Sequence, residues 1–170
     1  MIHIKIIEGD ITLANVDLIV NAANPLMLGG GGVDGAIHRA AGPKLLEECR
    51  KIKSTNGIRC QFGEAQITKS GELLSKYVIH AVGPIYRNEK EAVAVLRSTY
   101  INLFKLAIEY ECKTIAIPAI SCGAYGFPIE QAAKTAIEVC SQYPHLEISF
   151  YLINKEVIKH WQNAIKESIP

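Results

Sequence analysis

Four consecutive glycines, Gly29 to Gly32, restrict this chain more than any other feature. They lie in the stretch Asn21-Ala-Ala-Asn24-Pro-Leu-Met-Leu-Gly29-Gly-Gly-Gly32-Val-Asp34-Gly-Ala-Ile-His38-Arg-Ala-Ala-Gly42. The order reads as the end of a buried strand, a polar turn, a bare backbone loop and a helix. Glycines leave main-chain N–H groups open to a closely approaching ligand. A helix N-terminus that follows such a loop suits a phosphate. Asn24, Asp34 and His38 then bring an amide, a carboxylate and an imidazole to the same place, with Asp34 and His38 one helical turn apart.

The rest of the chain alternates strands with helices. Strands are expected at Ile2–Ile7, Val16–Val20, Glu64–Thr68, Tyr77–Val82, Thr114–Ile117 and Leu146–Ile153, from short apolar or alternating runs bounded by turn residues. A helix is expected over about Asp34–Lys53, with a break at Gly42-Pro43, where Pro suits the first position of a new helix. Val93, Leu96, Tyr100, Leu103, Phe104 and Ala107 mark one face of a helix over Glu89–Glu111. A second glycine-containing loop, Ser121-Cys-Gly-Ala-Tyr-Gly-Phe127, precedes a helix opened by Pro128 and running to about Gln142. Lys155–Lys166 reads as a closing helix. This alternation predicts one α/β domain over residues 1–170, in three α/β/α layers around a mixed, largely parallel sheet.

Composition narrows the function classes. With 170 residues, 49% apolar and 21% charged, the chain is globular and can bury roughly 70% of its unfolded surface. A net charge of +1 argues against a general nucleic-acid clamp or a membrane-surface protein. Met1–Ile7 is too short and polar for a signal peptide, and no apolar run is long enough to span a bilayer. Five cysteines without a CxxC pair predict reduced thiols in a cytoplasmic protein, with neither a zinc site nor a disulfide framework.

Both glycine loops follow a strand and precede a helix. In open α/β sheets such loops meet at the carboxyl ends of the strands, where two of them can clamp a diphosphate. Gly30, Gly32 and Gly35 form a G-x-G-x-x-G match, but Asp34 falls inside it and would oppose a pyrophosphate. The segment Ile58-Arg-Cys-Gln61 is also no apolar strand ending in a ribose-binding acid. No Gly-Lys-Ser/Thr follows the glycines, which removes a Walker A loop.

Taken in order, Gly9-Asp10-Ile11-Thr12, Asn21-Ala-Ala-Asn24, Gly29 to Gly42, Val82-Gly83-Pro84 and Ile120-Ser-Cys-Gly-Ala-Tyr-Gly-Phe-Pro128 resemble a macrodomain. The likeness is to the branch typified by the MacroD-type ADP-ribosyl hydrolases and O-acetyl-ADP-ribose deacetylases, and it covers essentially the whole chain. It implies a monomeric hydrolase, without a cofactor or metal, acting on ADP-ribosylated proteins or O-acetyl-ADP-ribose. The segment Gly32-Val-Asp-Gly-Ala-Ile-His38 favours the hydrolases over pure ADP-ribose readers, which are the rival reading. An RNA-binding or poly-ADP-ribose module would call for a basic groove that the charge balance does not supply.

The resemblance also implies site roles. Ligand contacts are expected from Asp10, Ile11, Ala22, Asn24, Gly31, Gly32, Val33, Asp34, Ser121, Cys122, Gly123, Ala124, Tyr125 and Asn154, and catalysis from Asn24, Asp34 and His38. Asp10 would hold the adenine amino group, although Asp is equally a cap or turn residue. Asn24 would hold hydroxyls of the distal ribose, or simply shape the turn before Pro25. Asp34 would orient a water, and its place at a helix start predicts a lowered pKa. His38 would position Asp34 or touch the distal ribose. Tyr125 would fold over that ribose or pin its loop to the core. Cys122 is read as a small loop residue and not a nucleophile. Asn21 is expected to stabilise its loop, and His3, His80, His145 and His160 to be structural or exposed. Near Ile153-Asn154 many relatives carry an aromatic against adenine; its absence here leaves Asn154 to bond the base or ribose.

Overall fold

The computed structural model describes residues 3–169. Six strands form one sheet: β1 (Ile4–Glu8), β2 (Leu18–Ala22), β3 (Ala65–Lys69), β4 (Tyr77–Ala81), β5 (Thr114–Ile117) and β6 (Glu147–Leu152). Five helices accompany it: α1 (Gly32–Ala41), α2 (Pro43–Arg50), α3 (Glu89–Glu109), α4 (Ile129–Cys140) and α5 (Lys155–Ser168). The strand order is β1-β6-β5-β2-β4-β3, and every neighbouring pair is parallel except β3 with β4. The expected mixed, largely parallel sheet is therefore the observed one.

Successive side chains of a strand point to opposite faces, and both faces here are covered. Leu18 and Val20 of β2 join Ile79, Ile115, Ile117 and Phe150 under α3, α4 and α5. Ile19, Val78 and Ala116 face the other way, under Ile37, Leu45 and Cys49 of α1 and α2. Trp161 anchors α5, fully buried with its ring centroid 5.6 Å from that of Phe150. The α1–α2 break falls where the sequence places it, since Gly42 takes φ +75° and Pro43 opens α2. The left-handed φ of Gly42 interrupts the helix, and Pro43 suits the first position of the next. No helix among the described residues is long and apolar enough to cross a membrane.

Several element ends differ from the sequence reading. Strand β2 begins at Leu18 and runs through Asn21 and Ala22, two residues further than expected. Asp17 is excluded because its carboxylate accepts from the N–H groups of Lys113 and Thr114, which fixes the strand start instead. Polar Asn21 is tolerated inside the strand because it stands opposite His80 in the β2–β4 register. Strand β1 is described from Ile4 to Glu8, and the expected start at Ile2 lies outside the described residues. Helix α1 starts at Gly32, so Asp34 is its third residue and not its first.

The topology explains where a site can form. From β2 the chain leaves through α1 and α2 toward β3 and β4. From β5 it leaves through α4 toward β6, on the other side. Adjacent strands β2 and β5 thus send their following loops in opposite directions. That divergence opens a crevice at the strand carboxyl ends.

Candidate ligand site

A cavity of about 900 Å³ occupies this crevice. Its walls come mainly from four places, the turn after β1, the glycine loop after β2, the loop after β5 and the end of β6 with the start of α5, and Gly83 after β4 also lines it. All fourteen residues expected to contact ligand line it: Asp10, Ile11, Ala22, Asn24, Gly31 to Asp34, Ser121 to Tyr125 and Asn154.

The first wall is built around Asn24. Its Oδ1 accepts from the N–H of Leu26 (3.1 Å) and Met27 (3.3 Å), while its Nδ2 donates to the carbonyl of Gly29 (3.1 Å). Asn24 therefore shapes its turn as well as lining the cavity. Gly30 lets Asn24 and Asp34 converge: a Cβ there would sit 3.0 Å from Asp34 Oδ2 and 3.3 Å from Asn24 Nδ2. Gly35 lets α1 start against the loop, since a Cβ would lie 2.6 Å from the Gly30 carbonyl oxygen. Gly31 caps the helix without a side chain, and the N–H groups of Gly32, Val33 and Asp34 have no partner among the described residues. These are donors that a helix start normally satisfies with a cap, water or anion.

The second wall presents a matching set. Ser121 adopts φ +66°, uncommon for a residue with a Cβ, and its Oγ donates to the Pro84 carbonyl (2.9 Å). Gly83 permits this packing, because a Cβ would collide with Ser121 and Ile120. Bonds from Gly126 to Gly123 (3.0 Å) and from Phe127 to Ser121 (2.9 Å) close the loop on itself. The N–H groups of Gly123, Ala124 and Tyr125 have no partner among the described residues. Tyr125 accepts from Tyr86 N–H through its carbonyl (2.9 Å) and sets its half-buried ring 6.2 Å from Phe62. Burial pushes the Cys122 thiol up to about 12, which suits a packing residue and not a nucleophile.

At the other end, Asp10 does cap a turn. Its Oδ1 accepts from the Thr12 N–H (2.9 Å) and hydroxyl (2.7 Å), at the start of the short 3-10 turn Ile11–Leu13. Asn154 likewise caps α5, accepting from the N–H of Glu156 (2.8 Å) and Val157 (3.3 Å). Tyr151, Ile153 and Val157 line the cavity beside them, and the sequence reading missed all three. Tyr151, in β6 beside Ile7 of β1, brings an aromatic side chain to this end of the cavity. Period-two alternation around buried Phe150 and Leu152 was the available signal.

Asp34 overturns one expectation. It is only 5% exposed, and this burial raises its carboxyl pKa, against the opposing hydrogen bond from Asn21 and the nearby His38. Desolvation outweighs both, so the shift runs opposite to the lowered value expected from the helix start. Asn21 is no mere loop residue: its Nδ2 donates to Asp34 Oδ1 (2.8 Å) from inside β2. His38 stands behind Asp34, its Nε2 3.4 Å from Oδ1 but without an aligned hydrogen bond, and it does not line the cavity. His80, read as structural or exposed, is structural: it is fully buried and bonded to Asn21 and Thr68. One ligating atom each of His38, Cys49 and His80 fall within 4.8 Å of one another. Burial pushes the Cys49 thiol up to about 11.

The fold and the cavity together define an α/β protein with a crevice at a switch point, flanked by two loops that carry unpartnered backbone N–H groups. The Macro domain family model matches residues 20–136, and the chain belongs to that family. It is 52% identical to a macro domain-containing protein of Vibrio parahaemolyticus over 96% of this chain and 98% of the relative. It is 44% identical to a protein of Enterobacter cloacae named O-acetyl-ADP-ribose deacetylase, over 97% of this chain and 94% of that one. Among solved structures, an Oceanobacillus iheyensis macrodomain with ADP superposes with TM-score 0.91 at 37% identity, covering 96% and 90% of the two chains. A Trypanosoma brucei macrodomain in complex with ADP-ribose gives TM-score 0.87 at 35% identity, over 96% of this chain and 69% of that chain.

Proposed function

We propose that the cavity binds ADP-ribose and that the protein hydrolyses ester-linked ADP-ribosyl compounds, O-acetyl-ADP-ribose and mono-ADP-ribosylated acidic side chains, releasing ADP-ribose. The observation that carries this reading is the pair of unpartnered N–H sets, Gly32 to Asp34 and Gly123 to Tyr125, on the two loops of one cavity. Two such sets suit a diphosphate, and the similar macrodomains of Oceanobacillus iheyensis and Trypanosoma brucei are solved with ADP and with ADP-ribose. The adenosine lies toward Asp10, Ile11, Tyr151 and Asn154, and the distal ribose toward Asn24 and Asp34.

In this reading Asp34 orients the attacking water. A carboxylate with a raised pKa is a better base than an ordinary one, and the Asn21 hydrogen bond holds its second oxygen free for that task. His38 supports Asp34 from behind and does not touch substrate. Cytoplasmic action on modified proteins belongs to the same proposal.

The test is to incubate the purified protein with O-acetyl-ADP-ribose and with a mono-ADP-ribosylated acidic substrate, following ADP-ribose release. Release from either supports the hydrolase. Tight ADP-ribose binding with no release from both would make the protein a reader that uses the same loops.

A further inference from the structure

Behind the cavity a row of polar groups crosses three neighbouring strands on the face covered by α1 and α2. Asn21 of β2 and His80 of β4 are register partners, and Thr68 of β3 is the diagonal neighbour of His80. All three are buried, Asn21 and His80 completely. One Asn21 atom lies 2.8 Å from Asp34 Oδ1 and 3.3 Å from His80 Nδ1. An ionised carboxylate only accepts, so that atom is the amide nitrogen and His80 Nδ1 must also accept. At the far side of the ring, Thr68 Oγ1 spends its one proton on the Lys69 carbonyl (2.9 Å). Its 3.0 Å contact with His80 Nε2 therefore needs a proton on Nε2. The Thr68 contact thus agrees with the tautomer that the Asn21 argument requires, and Cys49 Sγ lies 3.6 Å from the same Nε2 as a second, weaker neighbour.

We propose that His80 is a positioning residue, whose Nε2–H tautomer, held by Thr68, keeps the amide nitrogen of Asn21 turned toward Asp34. Asn21 Oδ1 has no partner among the described residues, so nothing on the oxygen side fixes the amide. Its orientation rests on the two acceptors that meet its nitrogen. The opposite tautomer would aim Nδ1–H at the amide N–H, turn the amide over and set its oxygen against the carboxylate. Burial keeps the imidazole neutral, with its pKa drawn down to about 3, so it holds one proton and one lone pair. The functional weight of this arrangement rests on the reading that ionised Asp34 orients water.

The test uses two variants and two readouts that need no substrate. Imidazole 15N shifts in the wild type should show His80 as the neutral Nε2–H tautomer from pH 5 to 8. Thr68→Val keeps the side-chain shape and removes the acceptor. It should release the tautomer and raise the Asp34 carboxyl midpoint, followed by 13C, by about half a unit or more. Asp34 also faces His38 on α1, Cys49 on α2 and Tyr125 on the second loop, which are unchanged in the variant. Thr68→Ser restores the hydroxyl and should recover the wild-type tautomer and titration. Turnover in Thr68→Val should fall at least about tenfold, in kcat and not KM. An Nδ1–H tautomer in the wild type would overturn the proposal even if Thr68→Val did not fold. So would an unchanged Asp34 midpoint in a folded Thr68→Val. A wild type with the expected tautomer that hydrolyses nothing would count against the hydrolase reading alone.

Discussion

At the scale of single residues the decisive one is Asp34. Its burial raises the folded-state pKa above the unfolded value, so between those two values the native protein binds more protons than the unfolded chain. Ionised Asp34 therefore lowers stability as pH rises through that window. Asp34→Asn should flatten this part of the curve and leave stability at pH 7 equal or higher, measured by urea unfolding between pH 4 and 8. In activity the sign is opposite. Turnover of an ester-linked ADP-ribosyl substrate should fall at least about a hundredfold, roughly 2.7 kcal/mol of transition-state stabilisation. ADP-ribose affinity should change by less than about tenfold. The wild-type kcat/KM should decline on the acid side at a pH above the usual carboxylate value of about 3.9. A folded Asp34→Asn enzyme with wild-type turnover would remove Asp34 from the reaction.

At the scale of elements, the loops carry the ligand chemistry while caps and strand ends hold them in place. Gly123 faces open space, with nothing within 4 Å of an added Cβ, and it lines the cavity. Gly123→Glu should fold normally yet weaken ADP-ribose binding at least tenfold, about 1.4 kcal/mol, by setting a carboxylate beside the diphosphate site. Calorimetry measures this directly, and unchanged affinity in a folded variant would move the diphosphate elsewhere. Asn154 serves α5 as well as the cavity. Asn154→Ala should cost about 0.5–2 kcal/mol in thermal or urea unfolding, because two helix N–H groups lose their acceptor. Preserved stability would mean that the α5 cap contributes nothing.

Across the whole molecule, the cavity draws on the ends of β1, β2, β5 and β6, so a ligand ties both halves of the sheet together. A ligand that binds only this assembled state shifts the unfolding equilibrium. ADP-ribose at a hundred times its Kd should add about 2.7 kcal/mol, or a Tm rise of about 5–11 °C for a chain of this size. Differential scanning calorimetry at increasing ADP-ribose would show it. No shift at saturating ligand would contradict the placement of the site across the four strands.

Much of this protein is local and hence readable in its chain. Gly29 to Gly32 with the following helix, Gly42-Pro43, the α3 apolar face and the second glycine loop each act through backbone freedom or short-range periodicity, which neighbouring residues determine. The same holds for the loop residues brought together around the cavity, since strand–loop–helix order alone puts such loops at one end of a sheet. Tertiary structure decided what depends on partners distant in sequence. The pKa of Asp34 is set by burial that no helix-start rule contains. Tyr151 reaches the cavity through the β1–β6 pairing. His80 acquires its role from Asn21, 59 residues away, and Thr68, 12 residues away, because strand register brings three otherwise unremarkable polar side chains into one buried row.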